Sequence, residues 1–166
     1  MVPDQFSTIE EKLGIAWKFL TGEARCFRFF EGLALHDVKE IDRRIVLPMS
    51  LQGANHLAAT VLLMDREDAE HLAATMFGVS PSELSESDIA DACREACNVL
   101  SGAIVEYLST DDPVDIGIPD QIGAARYQSV LNASSVKAYS EGSADNHHLM
   151  LVLFDPLIGP THQEGG

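Results

Sequence analysis

One long amphipathic segment, residues 86–108, constrains the fold of this chain more than any other feature. At about 100° per residue, its small and apolar side chains fall within about 60° of Ile89, and they are Ala92, Cys93, Ala96, Leu100, Ala103, Ile104 and Tyr107. Ser85, followed three residues later by Asp88, resembles an N-terminal capping box. The segment therefore predicts a helix that begins near residue 86 and buries one side against a sheet or other helices.

The same segment carries a second, polar stripe on the side opposite the apolar one. Asp91, Glu95, Asn98 and Gly102 lie there, one above another. A solvated helix face is normally filled with Glu, Lys and Gln, whereas an interior Gly costs about 1 kcal/mol relative to Ala and Asn is a weak helix former. A Gly also lets another surface approach the backbone. A solvated face is the ordinary alternative, but we interpret the stripe as a docking surface that presents an amide.

The remaining pattern predicts an α+β protein, with an antiparallel-rich β-sheet and two long helices packed on one face. Pro48 in the first predicted strand indicates a sheet edge or a bend. We expect a single domain over residues 1–166, with a flexible tail from about residue 158. The predicted elements are a helix over 5–21, strands over 43–50 and 56–65, helices over 66–78 and 86–108, a short extended stretch over 114–123, and strands over 125–140 and 147–157.

Net charge limits the classes of partner. The chain has 26 acidic and 11 basic residues, for a net charge of −15. This excess of acid argues against binding to nucleic acid or to an anionic membrane surface. The sequence has no apolar run near the ~20 residues that span a bilayer and no signal-peptide pattern at its N-terminus, so we expect a cytoplasmic protein. Its three cysteines form no disulfide framework and are expected to be reduced.

The polar stripe resembles the chemotaxis phosphatases of the CheX/CheC/FliY type. Their signature places an acidic or hydroxyl residue, a Glu and an Asn on an exposed helix, and Asp91, Glu95 and Asn98 have that spacing. Gly102 and Pro119 match the Gly and the downstream Pro of the family. Upstream, "LPMSLQGANHLAATVLLMDREDAEHLAATMFG" resembles its strand, Gly turn, strand and helix, so the resemblance spans roughly residues 45–125. Two departures are a short gap between Asn and Pro and Cys97 beside the Asn.

The resemblance implies a phosphatase that hydrolyses the aspartyl-phosphate of a response-regulator receiver domain. Asn98 would position the attacking water and Glu95 would pair with a receiver Lys. Asp91, Gly102 and Asp88 would complete the partner-binding face. The family implies no cofactor in this chain, with Mg²⁺ expected in the receiver. Relatives include monomers and dimers, and an exposed strand over 127–140 could pair two copies.

Other readings of the sequence remain open. The main rival is a non-catalytic signalling or flagellar-switch adaptor of the same fold, which would share the docking surface. A third is a metal-dependent enzyme that uses Cys93 and Cys97 with histidines. Ser7, Glu11 and Gly14 repeat the spacing of the signature in the first predicted helix, with Gly in place of Asn, as a decayed second site or by coincidence.

Overall fold

The computed structural model describes residues 3–32, 41–51, 56–105, 114–133, 136–144 and 147–155. In chain order the helices are α1 (Pro3–Thr21), α2 (Arg66–Phe77), α3 (Glu86–Ile104) and α4 (Ala124–Ala133), with a short 3₁₀ turn at Pro81–Glu83. The strands are β1 (Cys26–Glu31), β2 (Arg43–Leu51), β3 (His56–Met64), β4 (Val114–Ile116), β5 (Asp120–Gln121), β6 (Val136–Ala144) and β7 (His147–Phe154).

The described strands form one sheet in the order β1-β6-β7-β3-β2-β4, with β5 also paired to β2. All of these pairings are antiparallel. β4 pairs with Met49–Leu51 and β5 with Ile45–Val46. Pro48, which has no N–H to donate, thus lies between the two paired stretches of β2. Its strand is paired on both sides and is therefore next to the edge of the sheet, not the edge strand that Pro48 suggested as one alternative.

One face of the sheet is covered by α1, α2 and α3, and the main core lies between them and the sheet. Alternate residues of the longer strands point into this core, as the period of two requires. From β2 and β3 the core receives Ile45, Leu47, Met49, Ala58, Leu62 and Met64, and from the two long helices Ile9, Leu13, Trp17, Ile89, Ala96 and Leu100, all buried. The α+β class with two long helices on one face is therefore confirmed.

The opposite face of the sheet packs against α4. Tyr127 and Val130 are buried there against Val61, Val152 and Phe154. The predicted strand over 125–140 is wrong in its first half: residues 124–133 form a helix, because Tyr127, Val130 and Leu131 recur at helical spacing. Only Val136–Ala144 is extended, and it lies inside the sheet between β1 and β7. The dimer edge expected over 127–140 is therefore also wrong.

The other predicted elements are confirmed, with most ends within about two residues, which is the usual uncertainty of helix and strand ends. The strand predicted over 147–157 is extended to Phe154, and residues 156–157 lie outside the described part. The predicted helix over 86–108 is helical to Ile104, and its last residues lie outside the described part, as does the tail from residue 158. The sequence interpretation missed β1, although Phe27 and Phe29 alternate with exposed residues. None of the described helices combines the length and the apolar character needed to cross a bilayer.

Candidate functional site

The start of α3 is fixed by its cap and by an arginine of the sheet. The Ser85 hydroxyl accepts from the Asp88 backbone N–H at 3.1 Å, and the Asp88 carboxylate accepts from the Ser85 N–H at 2.9 Å. This is the predicted capping box. Buried Arg43 of β2 forms an ion pair with Glu86 and donates to Oε1 of Gln121 in β5 at 3.0 Å. The first turn of α3 is therefore tied to the edge of the sheet.

Polar groups also fix the buried side of α3. The hydroxyls of Ser101 and Thr60 in β3 are fully buried and hydrogen-bonded at 2.5 Å. The Cys97 thiol donates to the Ile45 carbonyl at 3.6 Å. Cys97, which departs from the small apolar residue expected beside Asn98, therefore serves as a small core residue that contacts the sheet.

The outward side of α3 carries the predicted stripe. Asp91, Glu95, Asn98 and Gly102 are all exposed, so the structure brings these residues together on one solvent-facing surface, which we call the α3 face. A Cβ atom at Gly102 would meet no atom within 4 Å. Gly102 thus fills no tight space in the fold, and its effect is to leave the surface beside Asn98 bare.

The side chains of Glu95 and Asn98 are free of hydrogen bonds and ion pairs with any described residue. The amide of Asn98 can accept through its oxygen and donate through its nitrogen, and the Glu95 carboxylate lies one turn away. A folded domain that holds both groups unengaged on a rigid helix has them available to an external partner.

Two of the predicted partner-binding residues have internal contacts, and the sequence interpretation predicted only one of them, the capping box of Asp88. Asp91 accepts from Arg94 Nη1 at 2.8 Å, within an exposed pair one turn apart. Asp88 is half-buried and occupied by the capping box. The i, i+3 spacing of Asp91 and Arg94 was the signal that could have revealed the first contact. Whether either aspartate contacts a partner stays a prediction.

The cysteines predicted for a rival metal site lie in the core. Burial raises the pKa of Cys93 to about 12, against a smaller opposing effect of Arg43, and burial also raises the pKa of Cys97 to about 12. Both are therefore neutral thiols at physiological pH, whereas metals and electrophiles take the thiolate. Among the described residues, no group of three or more His, Cys, Asp or Glu side chains is arranged to hold a metal ion.

Ser7, Glu11 and Gly14 of α1, which repeat the spacing of the signature, have a different geometry. Ser7 and Glu11 are exposed, but a Cβ at Gly14 would point toward the Arg25 carbonyl oxygen at 3.6 Å. The side chain of an Asn at position 14 would therefore start in contact with the backbone that precedes β1. This favours coincidence over a decayed second site.

An α+β fold in this order, with an acidic, Glu and Asn stripe exposed on α3, defines the class of chemotaxis phosphatases and their structural relatives. Residues 45–139 match the family described as chemotaxis phosphatase CheX, and the chain belongs to that family. No functionally curated protein shows significant sequence similarity to it.

Solved structures share the fold across almost the whole chain. A chain of the crystal structure of the CheX–CheY–BeF3–Mg²⁺ complex from Borrelia burgdorferi matches with a TM-score of 0.66 at 13% identity, over 92% of this chain and 97% of that one. A CheC-like superfamily protein from Shewanella sp. PV-4 matches with a TM-score of 0.65 at 11% identity, over 93% and 99%. The FliM middle domain from H. pylori matches with a TM-score of 0.51 at 11% identity, over 94% of each chain.

Proposed function

We propose that this protein hydrolyses the aspartyl-phosphate of a response-regulator receiver domain, with the α3 face as its active surface. The observation that carries the proposal is the Asn98 amide, exposed and unengaged by the described residues, beside the bare surface at Gly102. Membership of a chemotaxis phosphatase family supports the reaction class.

In the proposed step, a water oxygen attacks phosphorus as the bond from phosphorus to the aspartyl oxygen breaks. The products are a free carboxylate on the receiver and dihydrogen phosphate, which retains both protons of the water. An amide is too weak a base to take a proton from the water. Asn98 instead orients the water by accepting from its O–H and donating to its oxygen, as the water-positioning Gln of GTPases does. A hundredfold acceleration needs only about 2.7 kcal/mol.

Glu95 acts as the orienting contact in this proposal. It lies one turn before Asn98, and in its exposed position it pairs with a Lys of the receiver. Such a contact at the rim of an interface contributes register and association rate more than affinity. The acidic residues of the α3 face then suit a partner surface that carries a positive charge around its phosphorylation site.

The proposed partner is a phosphorylated receiver domain, which supplies Mg²⁺ and the groups that hold the phosphoryl oxygens. This chain contributes no cofactor of its own. Its relative from Borrelia burgdorferi is found in a complex with CheY, which supports a receiver as the partner. The cytoplasmic location expected from the sequence is part of this proposal.

The test is loss of phosphate from a panel of phosphorylated receivers, with affinity measured in parallel. We expect Asn98→Ala to keep the fold and receiver binding and to remove the rate gain, about a hundredfold. Asn132→Ala is the matched control, because Asn132 is an exposed amide on α4, on the other face of the sheet. Unchanged dephosphorylation by Asn98→Ala would exclude the amide from the mechanism.

The alternative function is an adaptor that binds a receiver or another partner without hydrolysis. The fold of the FliM middle domain supports this candidate. An adaptor requires the α3 face but not the amide. If the wild-type protein binds phosphorylated receivers without accelerating the loss of phosphate, the adaptor is the better description.

A further inference from the structure

Two isoleucines lie exposed at the sheet edge beside α3. Ile118 is 83% exposed and Ile116 is 44% exposed. Both belong to the stretch from Val114 to Gln121 that follows the outer side of β2. Two exposed apolar side chains this close together form a patch, and contiguous apolar patches mark surfaces where another molecule is contacted.

Strand register places Ile116 on the helix-covered face of the sheet. Its Cα partner is Met49, and directly paired residues point to the same face. Met49 is buried in the core beneath the helices, and Val114, two residues before Ile116, packs against that core. Because α3 covers this face and contacts β2, the strand next to β4, the exposed part of Ile116 lies on the same face of the sheet as α3.

The strand registers also show which turn of α3 lies level with Ile118. Gly117, the preceding residue, donates to the Pro48 carbonyl at 2.8 Å. Leu47, next to Pro48, pairs with Thr60, and Thr60 is hydrogen-bonded to Ser101 of α3. Ile118 therefore lies at the level of the helical turn that contains Gly102, the bare end of the α3 face.

The backbone on both sides of Ile118 is held firmly. A Cβ at Gly117 would lie 2.8 Å from Pro48 Cγ and 3.1 Å from its carbonyl oxygen, so the chain there is packed directly on β2 with no room for a side chain. On the other side, Pro119 restricts residue 118 to extended conformations, and the Ile122 N–H donates to the Arg44 carbonyl at 2.8 Å. The exposed side chain of Ile118 is thus presented on a fixed backbone, with little ordering cost on binding.

We propose that Ile116 and Ile118 form an apolar contact for the same receiver domain that docks on the α3 face. The inference rests on the proposed function and adds a second region to the partner surface. We assign this contact to the receiver because the two isoleucines lie beside the α3 face, at the level of Gly102. A receiver domain that docks over Asn98 would therefore also reach the sheet edge. The partner then presents a basic group to Glu95 and an apolar patch to Ile118.

The test uses the full chain and a receiver that the wild-type protein dephosphorylates. Dephosphorylation is followed against phosphatase concentration, which separates the half-saturating concentration from the maximal rate. We expect Ile118→Ser to raise the half-saturating concentration about tenfold, equivalent to about 1.4 kcal/mol, with the maximal rate unchanged. Ile116→Ser is expected to give a smaller rise. The urea midpoint of Ile118→Ser should equal that of the wild type, because the side chain contacts so little of the fold.

Phe19→Ser is the matched control. Phe19 is 81% exposed, but it is on α1, which packs over β1 at the other edge of the sheet. An unchanged half-saturating concentration for Ile118→Ser, or an equal change for Phe19→Ser, would overturn the contact. A wild-type protein that acts on no receiver would remove the proposed function and this contact together, and that outcome is visible without any variant.

Discussion

The two long helices α1 and α3 have the same length, 19 residues each, and lie next to each other on the same face of the sheet. Their outward sides differ. α1 exposes Ile15 and Phe19, whereas no large apolar side chain is exposed among the described residues of α3. The α3 face instead combines acids with Asn98 and Gly102. Equivalent positions in a fold therefore do not determine what a helix presents to a partner, since the residue types decide it.

The two helices are also anchored differently. Near the C-terminal end of α1, Arg25 forms a buried two-pronged ion pair with Asp68 of α2, at 2.8 and 2.7 Å, and its guanidinium lies 4.7 Å from the centre of the Trp17 ring. On its buried side, α3 is anchored by the neutral contacts of Ser101 with Thr60 and of Cys97 with the Ile45 carbonyl. Within the described part of the chain, its charged anchor is the ion pair of Glu86 with Arg43 at the first turn. The charged contact near α1 is buried and structural, whereas the Asp91–Arg94 pair of α3 lies exposed at the surface.

The largest expected effect concerns the anchor of α1. Asp68→Ala should lower the free energy of unfolding by about 3–5 kcal/mol, because it leaves the Arg25 charge buried without its carboxylate. Asp91→Ala, which breaks the exposed pair with Arg94, should cost less than about 1 kcal/mol. Urea denaturation of both variants checks the contrast, and equal losses would contradict the distinction between the two anchors.

The next effect concerns the bare surface of the α3 face. Gly102→Leu should leave the melting temperature equal or higher, because a better helix former in an open, exposed site stabilises by up to about 1 kcal/mol. Dephosphorylation should fall about a hundredfold, since a side chain that displaces the amide by about 1 Å has that cost. A lower melting temperature would mean that Gly102 serves the fold, and full activity would mean that the partner does not approach it.

A smaller effect is expected from reversing the charge at Glu95. Glu95→Lys should weaken receiver binding about tenfold, or about 1.4 kcal/mol, and reduce turnover, because it places like charge against the receiver Lys. Glu11→Lys makes the same change on the exposed side of α1 and should leave affinity unchanged. The affinities of both variants for the phosphorylated receiver test this ion pair. Equal weakening by the two variants would indicate a general effect of net charge.

The smallest effect is expected at the glycine of α1. Gly14→Ala should stabilise the protein by up to about 1 kcal/mol, because the new methyl group meets the Arg25 carbonyl at an ordinary contact distance. Dephosphorylation should not change, since the α1 spacing is interpreted as a coincidence. Loss of activity in this variant would make α1 part of the functional surface.

Much of this architecture follows from local pattern. The stripes of α3, its capping box and the outward position of Asn98 depend only on helical geometry, so they could be predicted from one segment. The strand wrongly predicted over residues 125–133 shows the limit. Tyr127 and Val130 favour strands by residue type but have helical spacing, and their burial depends on a second core that no local pattern reveals. The Arg25–Asp68 pair joins residues 43 positions apart, and a single sequence does not show which buried charges meet.

The hydroxyl pair between Ser101 and Thr60 has a consequence for the reaction itself. Apolar contacts are non-directional, so a helix that rests on them can roll about its own axis with little loss. A buried hydrogen bond is directional, and leaving its groups unpaired costs about 1–3 kcal/mol. Ser101 comes three residues after Asn98 on the same helix. The Ser101–Thr60 hydrogen bond therefore fixes the rotation of α3 about its axis, and with it the direction in which the Asn98 side chain points. In the proposed reaction, the direction of the Asn98 amide toward the receiver's phosphorus is therefore governed by two buried hydroxyl groups on the opposite side of α3.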